Sequence, residues 1–519
     1  MQQIVNKRQE NWLAFLVSEG LKAVKKICCL PVNLLNSMLL LGVSFHSLAQ
    51  TDSTVWVTTP PPHYSFVRYN ENVINEKSAL DSFYYKLSQL KNSGKGSISI
   101  VHIGDSHLQA DMMTSVLRDG FREYFGDAGR GVIFPYQVAN SNGPKDLTSH
   151  SNQSWKTGRI TSSDKVAKCG IMGYVLEAPS DKASINIHLK DKEGKQEKFN
   201  RLVFFLCNDS VCYKVSDTGL NAPIIFNTKS QNKPNCVAVN TDSFVSGFEL
   251  ARITQGKGNY EFYGVSLEKK DAAGVIYHTI GVNGARYDQY AADPIFWDQL
   301  KELKADLVVV SMGTNEAQNP YISEEAMLRG VDSFFRQLAK VAPNVPVLIT
   351  TPCGSYFRQK SPNKGVDNVS RYLYSYAVKH KHAVWDMYNI GGGMQGIPSL
   401  KKFNLIAHDL VHYNQAGYEL QGLLLLNAMA AGYNIYQKAH PYKPKKVLAP
   451  APPPVKVVAE VEKPKVTKVQ DEIVKPHIIQ VGANIPVKKD TVKPTIGLNP
   501  PVPTPPPPHK SNIQVTYEN

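Results

Sequence analysis

The stretch Ser97-Ile98-Ser99-Ile100-Val101-His102-Ile103-Gly104-Asp105-Ser106-His107 decides how the chain is read. Ser97–Ile103 is rich in β-branched residues and stops at a glycine, which predicts a buried strand. Residues 108–125 then carry helical spacing. A strand, a tight turn and a helix place Ser106 at the carboxyl end of the strand, where open α/β sheets collect reactive groups. Its own N–H would lie near a helix N-terminus, where anions are favoured. Alone, the stretch reads equally well as a turn with Ser as N-cap.

Outward from this point, Leu80, Phe83, Tyr84, Leu87 and Leu90 give 76–92 a helical stripe. A Gly-rich loop is expected at 126–131. From about 146 to 272 the periodicity changes to short strands, at 184–189, 200–206, 223–226, 236–239 and 260–267, with no helix among them. An inserted β-sandwich is the expectation. Strand and helix then alternate again: strands at 275–281, 306–312, 345–351 and 382–386, helices near 294–304, 323–341, 367–380 and 414–435. This alternation predicts a parallel sheet covered on both faces. The pieces 50–145 and 273–438 must share one sheet, because neither has enough strands alone.

The 519 residues carry a net charge of +14, concentrated at the ends: +3 falls in 1–49, +6 in 441–519, and only +5 on the whole of the middle. Nucleic-acid binders gather basic residues on one face, so this distribution argues against nucleic acid. No Asp, Glu, Lys or Arg occurs from Ile27 to Thr51. Lys22, Lys25 and Lys26 precede a short apolar centre at 38–45, and Ser47-Leu48-Ala49 offers a small-x-small cleavage pattern. Residues 1–49 read as a secretory leader, with an uncleaved anchor as the alternative. The periplasm or envelope of a bacterium is the expected address, with no stable transmembrane domain after cleavage. Residues 439–519 read as a tail, and 441–519 holds 17 of the 33 prolines among Lys and Val. Such a segment cannot bury enough apolar surface to offset its ordering entropy. A polyproline-like spacer, or a contact with anionic envelope polymer, are its two readings. Seven cysteines do not make a disulfide scaffold. Cys207 and Cys212 could close a small loop or stay as thiols.

Three further stretches follow strands or precede the last helix. Gly281-Val282-Asn283-Gly284-Ala285 offers a backbone N–H that a ligand can approach closely. Gly313-Thr314-Asn315-Glu316 offers a side-chain amide able to donate to an oxyanion. Asp409-Leu410-Val411-His412 offers a base and an acid three residues earlier that can orient it. Each alone reads as a turn or cap. Together they supply a nucleophile, donors and a base at sheet ends.

These four blocks closely resemble those of the SGNH (GDSL-type) hydrolases: the Gly-Asp-Ser nucleophile, a Gly, a Gly-x-Asn and a terminal Asp-x-x-His. The resemblance spans about 95–145 and 273–435. It implies a flavodoxin-like three-layer α/β/α sandwich and ester hydrolysis through an acyl-serine, with no metal or cofactor. It assigns Ser106, Asp409 and His412 to the triad, and the Ser106 N–H, the Gly284 N–H and the Asn315 amide to the oxyanion hole. His after the Gly-Asp-Ser, a β-insert at 146–272 and a leader resemble the peptidoglycan O-acetylesterase branch, whose β-domain is carbohydrate-binding-like. The expected activity is therefore removal of O-acetyl groups from a polysaccharide, with peptidoglycan first. Esterases of other glycans or lipids, a non-catalytic envelope binder and an O-acetyltransferase are the alternatives.

Other residues are weighed beside these. His107 is expected to contact substrate or to pack. Asp105 should brace the turn. Asp111 and Arg118 suit a buried ion pair or plain surface. Arg286 and Asp288 could line the cleft. His408 is a spectator, and Gly391-Gly392-Gly393 is a loop without the Lys-Ser/Thr of a phosphate loop.

Overall fold

The computed structural model describes residues 55–162, 168–192, 195–207, 211–228, 236–253 and 260–442. The leader expected over 1–49, and the tail beyond residue 442, lie outside the described residues. Among the described residues no helix is long and apolar enough to cross a membrane.

The central sheet has six strands: β1 (Ile74–Asn75), β2 (Ser97–Gly104), β3 (Gly274–Gly281), β4 (Leu307–Ser311), β5 (Val347–Thr350) and β6 (Ala383–Trp385). Their spatial order is β1-β6-β5-β4-β2-β3. Only β1 runs antiparallel to its neighbour. The five parallel strands thus follow the flavodoxin-like order 2-1-3-4-5, whose switch point lies between β2 and β4. The helices that matter here are α1 (Asp81–Ser93), α2 (Ser106–Gln109), α3 (Met112–Phe125), α4 (Tyr287–Ala291), α5 (Pro294–Leu300), α6 (Glu324–Val341), α7 (Lys364–Lys379) and α8 (Gln415–Ala439).

Alternate strand residues serve opposite faces, as a pleated strand requires. Ile98, Ile100, Leu307, Val309 and Leu348 pack with the apolar sides of α1, α3 and α8. Val101, Ile103, Val308, Val310 and Ile349 pack with Phe334 of α6 and Leu373 of α7. Burial on both faces explains why these strands read as nearly continuous apolar runs. One polar chain crosses the sheet inside this core. His102 Nδ1 lies 2.8 Å from the Tyr277 hydroxyl, His102 Nε2 lies 2.6 Å from Ser311 Oγ, and the Thr350 hydroxyl donates to Ser311 Oγ at 2.7 Å. Burial pushes His102 down to about 3, so the imidazole stays neutral.

Two antiparallel sheets occupy the stretch between β2 and β3. One orders strands 237–245, 199–206, 261–268, 174–177 and 156–159; the other orders 224–227, 212–216, 247–252, 184–189 and 147–151. Their facing sides meet in an aromatic core, in which Phe204 and Phe248 stand 5.5 Å apart edge to face. The described residues of 146–272 contain no helix.

Two local expectations need correction. The Gly-rich segment 126–131 is not wholly a loop: Gly129–Ile133 forms a strand paired with 261–268, so this sheet begins before residue 146. The helix expected over 108–125 is broken. α2 ends at Gln109, Asp111 adopts φ 58°, and α3 starts at Met112. The break turns the Asp111 carboxylate inward. Arg118 grips it with two contacts of 3.1 and 2.5 Å, Arg130 donates at 2.6 Å, and the Thr114 and Thr279 hydroxyls donate as well. Arg130 reaches on to Asp146 at 3.0 Å. Burial would raise the Asp111 carboxyl, but the two guanidinium groups outweigh it and hold it far below the usual carboxylate range. Asp111, Arg118 and Arg130 are 4%, 3% and 2% exposed. Asp111→Ala would leave buried guanidinium charge uncompensated and should cost ~3–5 kcal/mol, read from the urea midpoint.

Candidate active site

Strand register builds the site. Gly104 pairs with Gly281 on one side and with Ser311 on the other, so the carboxyl ends of β3, β2 and β4 lie on one line. Ser106 follows that line by two residues, Gly284 by three and Asn315 by four. Sequence positions as far apart as Ser106 and Asn315 thus reach one crevice at the switch point of the sheet. The approach is tight. A Cβ at Gly281 would sit 2.5 Å from the backbone nitrogen of Gln109 in α2, so only glycine lets β3 end against the Ser106 turn. Gly284 itself has φ +82°, a conformation that L side chains rarely adopt.

Ser106 opens α2, with Asp105 as N-cap: Asp105 Oδ1 accepts from the His107 N–H at 3.0 Å. His412 arrives from the loop ahead of α8, 306 residues away, and its Nε2 lies 2.8 Å from Ser106 Oγ. Its Nδ1 lies 2.6 Å from Asp409 Oδ2. The other Asp409 oxygen accepts from the Val411 and His412 N–H groups, both at 2.9 Å. Three-residue spacing therefore lets one carboxylate close the turn and hold the ring. Partial burial would raise Asp409, but the imidazole and the two backbone donors outweigh it and keep its carboxyl below the usual range. A tight β-bridge between Ile406 and Tyr413 closes the loop, and the Tyr356 N–H donates to Leu410 O at 2.8 Å.

The Asn315 amide donates one N–H to Ala285 O at 2.9 Å. Its nitrogen also makes a 3.5 Å contact with Asp105 Oδ2, at the long limit of a hydrogen bond, so its second N–H is weakly held. Ser106, Gly284, Asn315, Asp409 and His412 are thus gathered by one sheet edge and one loop.

The remaining candidates separate cleanly. His107 is buried beside His412, with ring centres 5.3 Å apart and Nδ1 3.0 Å from the Tyr418 hydroxyl. Burial, reinforced by His412, pushes it down to about 3, so it is a neutral packing group. Arg286 pairs with Asp288 at 3.2 Å, and both line a cavity of about 600 Å³ against Asn315. His408 is exposed. The glycines at 391–393 turn the chain against Phe66, with Gly392 close to its carbonyl.

Two residues escaped the sequence reading. Gln109 Oε1 accepts from the Asn283 N–H at 2.8 Å, tying the Gly284 turn to the helix that Ser106 opens. Glu316 Oε1 accepts from the Tyr287 N–H at 3.0 Å, tying the same turn to the end of β4. Glu316 is 7% exposed, and its Oε2 has no hydrogen-bond partner among the described residues. Burial, with Asp105 and Asp288 nearby, raises its carboxyl to about 7 against the Tyr287 N–H. The turn-closing Asp105 is likewise raised by burial, to about 6. The only signal in the sequence was the position of Glu316 beside Asn315.

A carboxyl raised on folding binds a proton that the unfolded chain has released. The stability that Glu316 contributes should therefore fall as pH rises from about 4.5 through about 7. Glu316→Gln keeps the acceptor for Tyr287 and removes this fall, so thermal midpoints measured from pH 4 to 8 should slope less in the variant. Equal slopes would count against the raised carboxyl.

The family described as "GDSL-like Lipase/Acylhydrolase family" matches residues 242–420. A solved peptidoglycan O-acetylesterase aligns with 70% of this chain and 99% of its own at a TM-score of 0.56 and 20% identity. A lipase/acylhydrolase from Enterococcus faecalis aligns with 30% of this chain and 77% of its own, at a TM-score of 0.24 and 18% identity. A mutant acetylxylan esterase from Geobacillus stearothermophilus aligns with 31% and 73%, at a TM-score of 0.24 and 16% identity. No curated protein matches the chain in sequence. Over residues 242–420 the chain thus resembles the GDSL-like lipases and acylhydrolases, on a fold it shares with the O-acetylesterase, and both likenesses support a carboxylic ester hydrolase.

Proposed function

We propose that the chain is an exported serine esterase that removes O-acetyl groups from carbohydrate, with peptidoglycan as the polymer. The observation that carries the chemistry is the 2.8 Å approach of His412 Nε2 to Ser106 Oγ, with Asp409 2.6 Å behind the ring. The polymer is carried over from the O-acetylesterase that shares the fold. The expected leader at 1–49 supports export, and the tail at 439–519 suits a tether to anionic envelope polymer. The two antiparallel sheets support an all-β sandwich inserted at 146–272 between two parts of the hydrolase domain, 50–145 and 273–438, with the strand Gly129–Ile133 of the first part completing one sheet.

In this reading Ser106 Oγ attacks the ester carbonyl as its proton passes to His412 Nε2. Asp409 holds Nδ1–H and stabilises the imidazolium. The tetrahedral oxyanion forms against the Ser106 N–H, the Gly284 N–H and the weakly held N–H of Asn315. Collapse breaks the bond to the sugar oxygen, which takes the proton from His412 and leaves as the alcohol. Water then gives a proton to His412 and attacks the acyl-serine, and Ser106 is released with acetate.

Ser106→Ala should abolish acetate release from O-acetylated peptidoglycan with the thermal midpoint unchanged. Wild-type turnover by that variant would overturn the assignment. Asn315→Ala should lower kcat by roughly 10²–10³, the usual effect of losing one oxyanion donor. Covalent labelling by a fluorophosphonate should fall on Ser106, and its absence would favour a non-catalytic binder.

A further inference from the structure

The cavity against Asn315 has a volume of about 600 Å³, far more than the acetyl group of the proposed ester needs. Its lining sets Arg286, Asp288, Asn319 and Arg329 beside apolar Ile322 and Met327. A long acyl chain would strip water from these charged groups and return no hydrogen bonds, which is costly. A polyhydroxylated ligand would replace that water with hydrogen bonds.

One segment of the rim presents an aromatic ring. Asn319 and Ile322 both line the cavity, and Tyr321 between them is 92% exposed. The backbone under this ring is fixed. The Tyr321 N–H donates to Asn319 Oδ1 at 3.1 Å, the Ile322 N–H donates to Asn319 O at 3.1 Å, and Pro320 fixes φ between them. A large aromatic open to water between two residues that line a cavity of mixed polar and apolar character has the chemistry that recognises a sugar: flat apolar faces for the C–H side of a pyranose, and planar donors and acceptors for its hydroxyls. Rigidity lowers the entropy lost when a ligand settles there.

We propose that this cavity is a glycan subsite. A sugar unit next to the O-acetylated one stacks on Tyr321 and pairs its hydroxyls with Arg286, Asn319 and Arg329, which sets the acetyl ester against Asn315. The subsite rests on the O-acetylesterase reading above and names where that enzyme holds its polymer.

The test uses Tyr321→Ala and Arg329→Ala in the full chain, both at exposed positions outside the reacting groups. With O-acetylated peptidoglycan, Tyr321→Ala should raise KM by about fivefold, the scale of one lost aromatic contact, with kcat little changed. Turnover of 4-nitrophenyl acetate, which has no neighbouring sugar, should stay at wild type. Unchanged KM on the polymer in both variants overturns the subsite. So does an equal fall on both substrates, which would place these residues with the reacting groups. Preference for a dodecanoyl ester that disappears in the variants also overturns it, in favour of a lipid pocket. A binding arm separates the subsite from the reaction: Ser106→Ala should sediment with O-acetylated peptidoglycan about fivefold more tightly than Ser106→Ala/Tyr321→Ala. Acetate release that does not need Ser106 would defeat the esterase reading, while the sedimentation pair would still decide the subsite.

Discussion

Pairing of Gly104 with Gly281 and Ser311 governs everything at the crevice. Those three residues end their strands on one line, and the turns beyond them need only two to four residues to bring a hydroxyl, a backbone N–H and an amide together. A shift of one residue would send each strand's side chains to the opposite face. The chain of His102, Tyr277, Ser311 and Thr350 opposes such a shift, because its hydrogen bonds exist only at this register. Leaving buried His102, Tyr277 or Thr350 unpaired would cost ~1–3 kcal/mol. The polar thread in the core is thus a register lock for the site above it.

The acids around the crevice are tuned in opposite directions. Asp409, half exposed and bonded to two backbone N–H groups, is held ionised behind His412. Asp105 and Glu316 are buried beside the Asn315 turn, and burial moves both toward the neutral form. Negative charge is thereby kept where an imidazolium would form and reduced where an oxyanion would form. The same geometry that ties the Gly284 turn to β4 through Glu316 also supplies this asymmetry.

Much of this was legible in the sequence because its signals are local. β-branched runs, three of them ended by glycine, placed the parallel strands to within a residue or two. The amphipathic stripe of 323–341 gave α6 to within one residue. What escaped depends on distant partners. The break at Asp111 is set by Arg118 and Arg130, and no helical stripe reports an inward-turned carboxylate. Gly129 and Gly131 look like loop residues, yet both have positive φ within a strand that presses against the 261–268 backbone. Polar strands such as 147–151 lack the apolar alternation that marks a strand. Gln109 and Glu316 act through backbone N–H groups far along the chain, and nothing in their own neighbourhood announces it.

The order of the parts along the chain has a consequence of its own. Ser106 is made early, and His412 comes 306 residues later, just before α8. α8 lies against α3 in the core it shares with β2. A polypeptide synthesised from its N-terminus therefore holds Ser106 without the His412 imidazole until α8 docks. Hydroxyl groups are feeble nucleophiles without a neighbouring base. In the proposed reading, assembly itself serves as the safety catch: Ser106 gains its base only once α8 is in place.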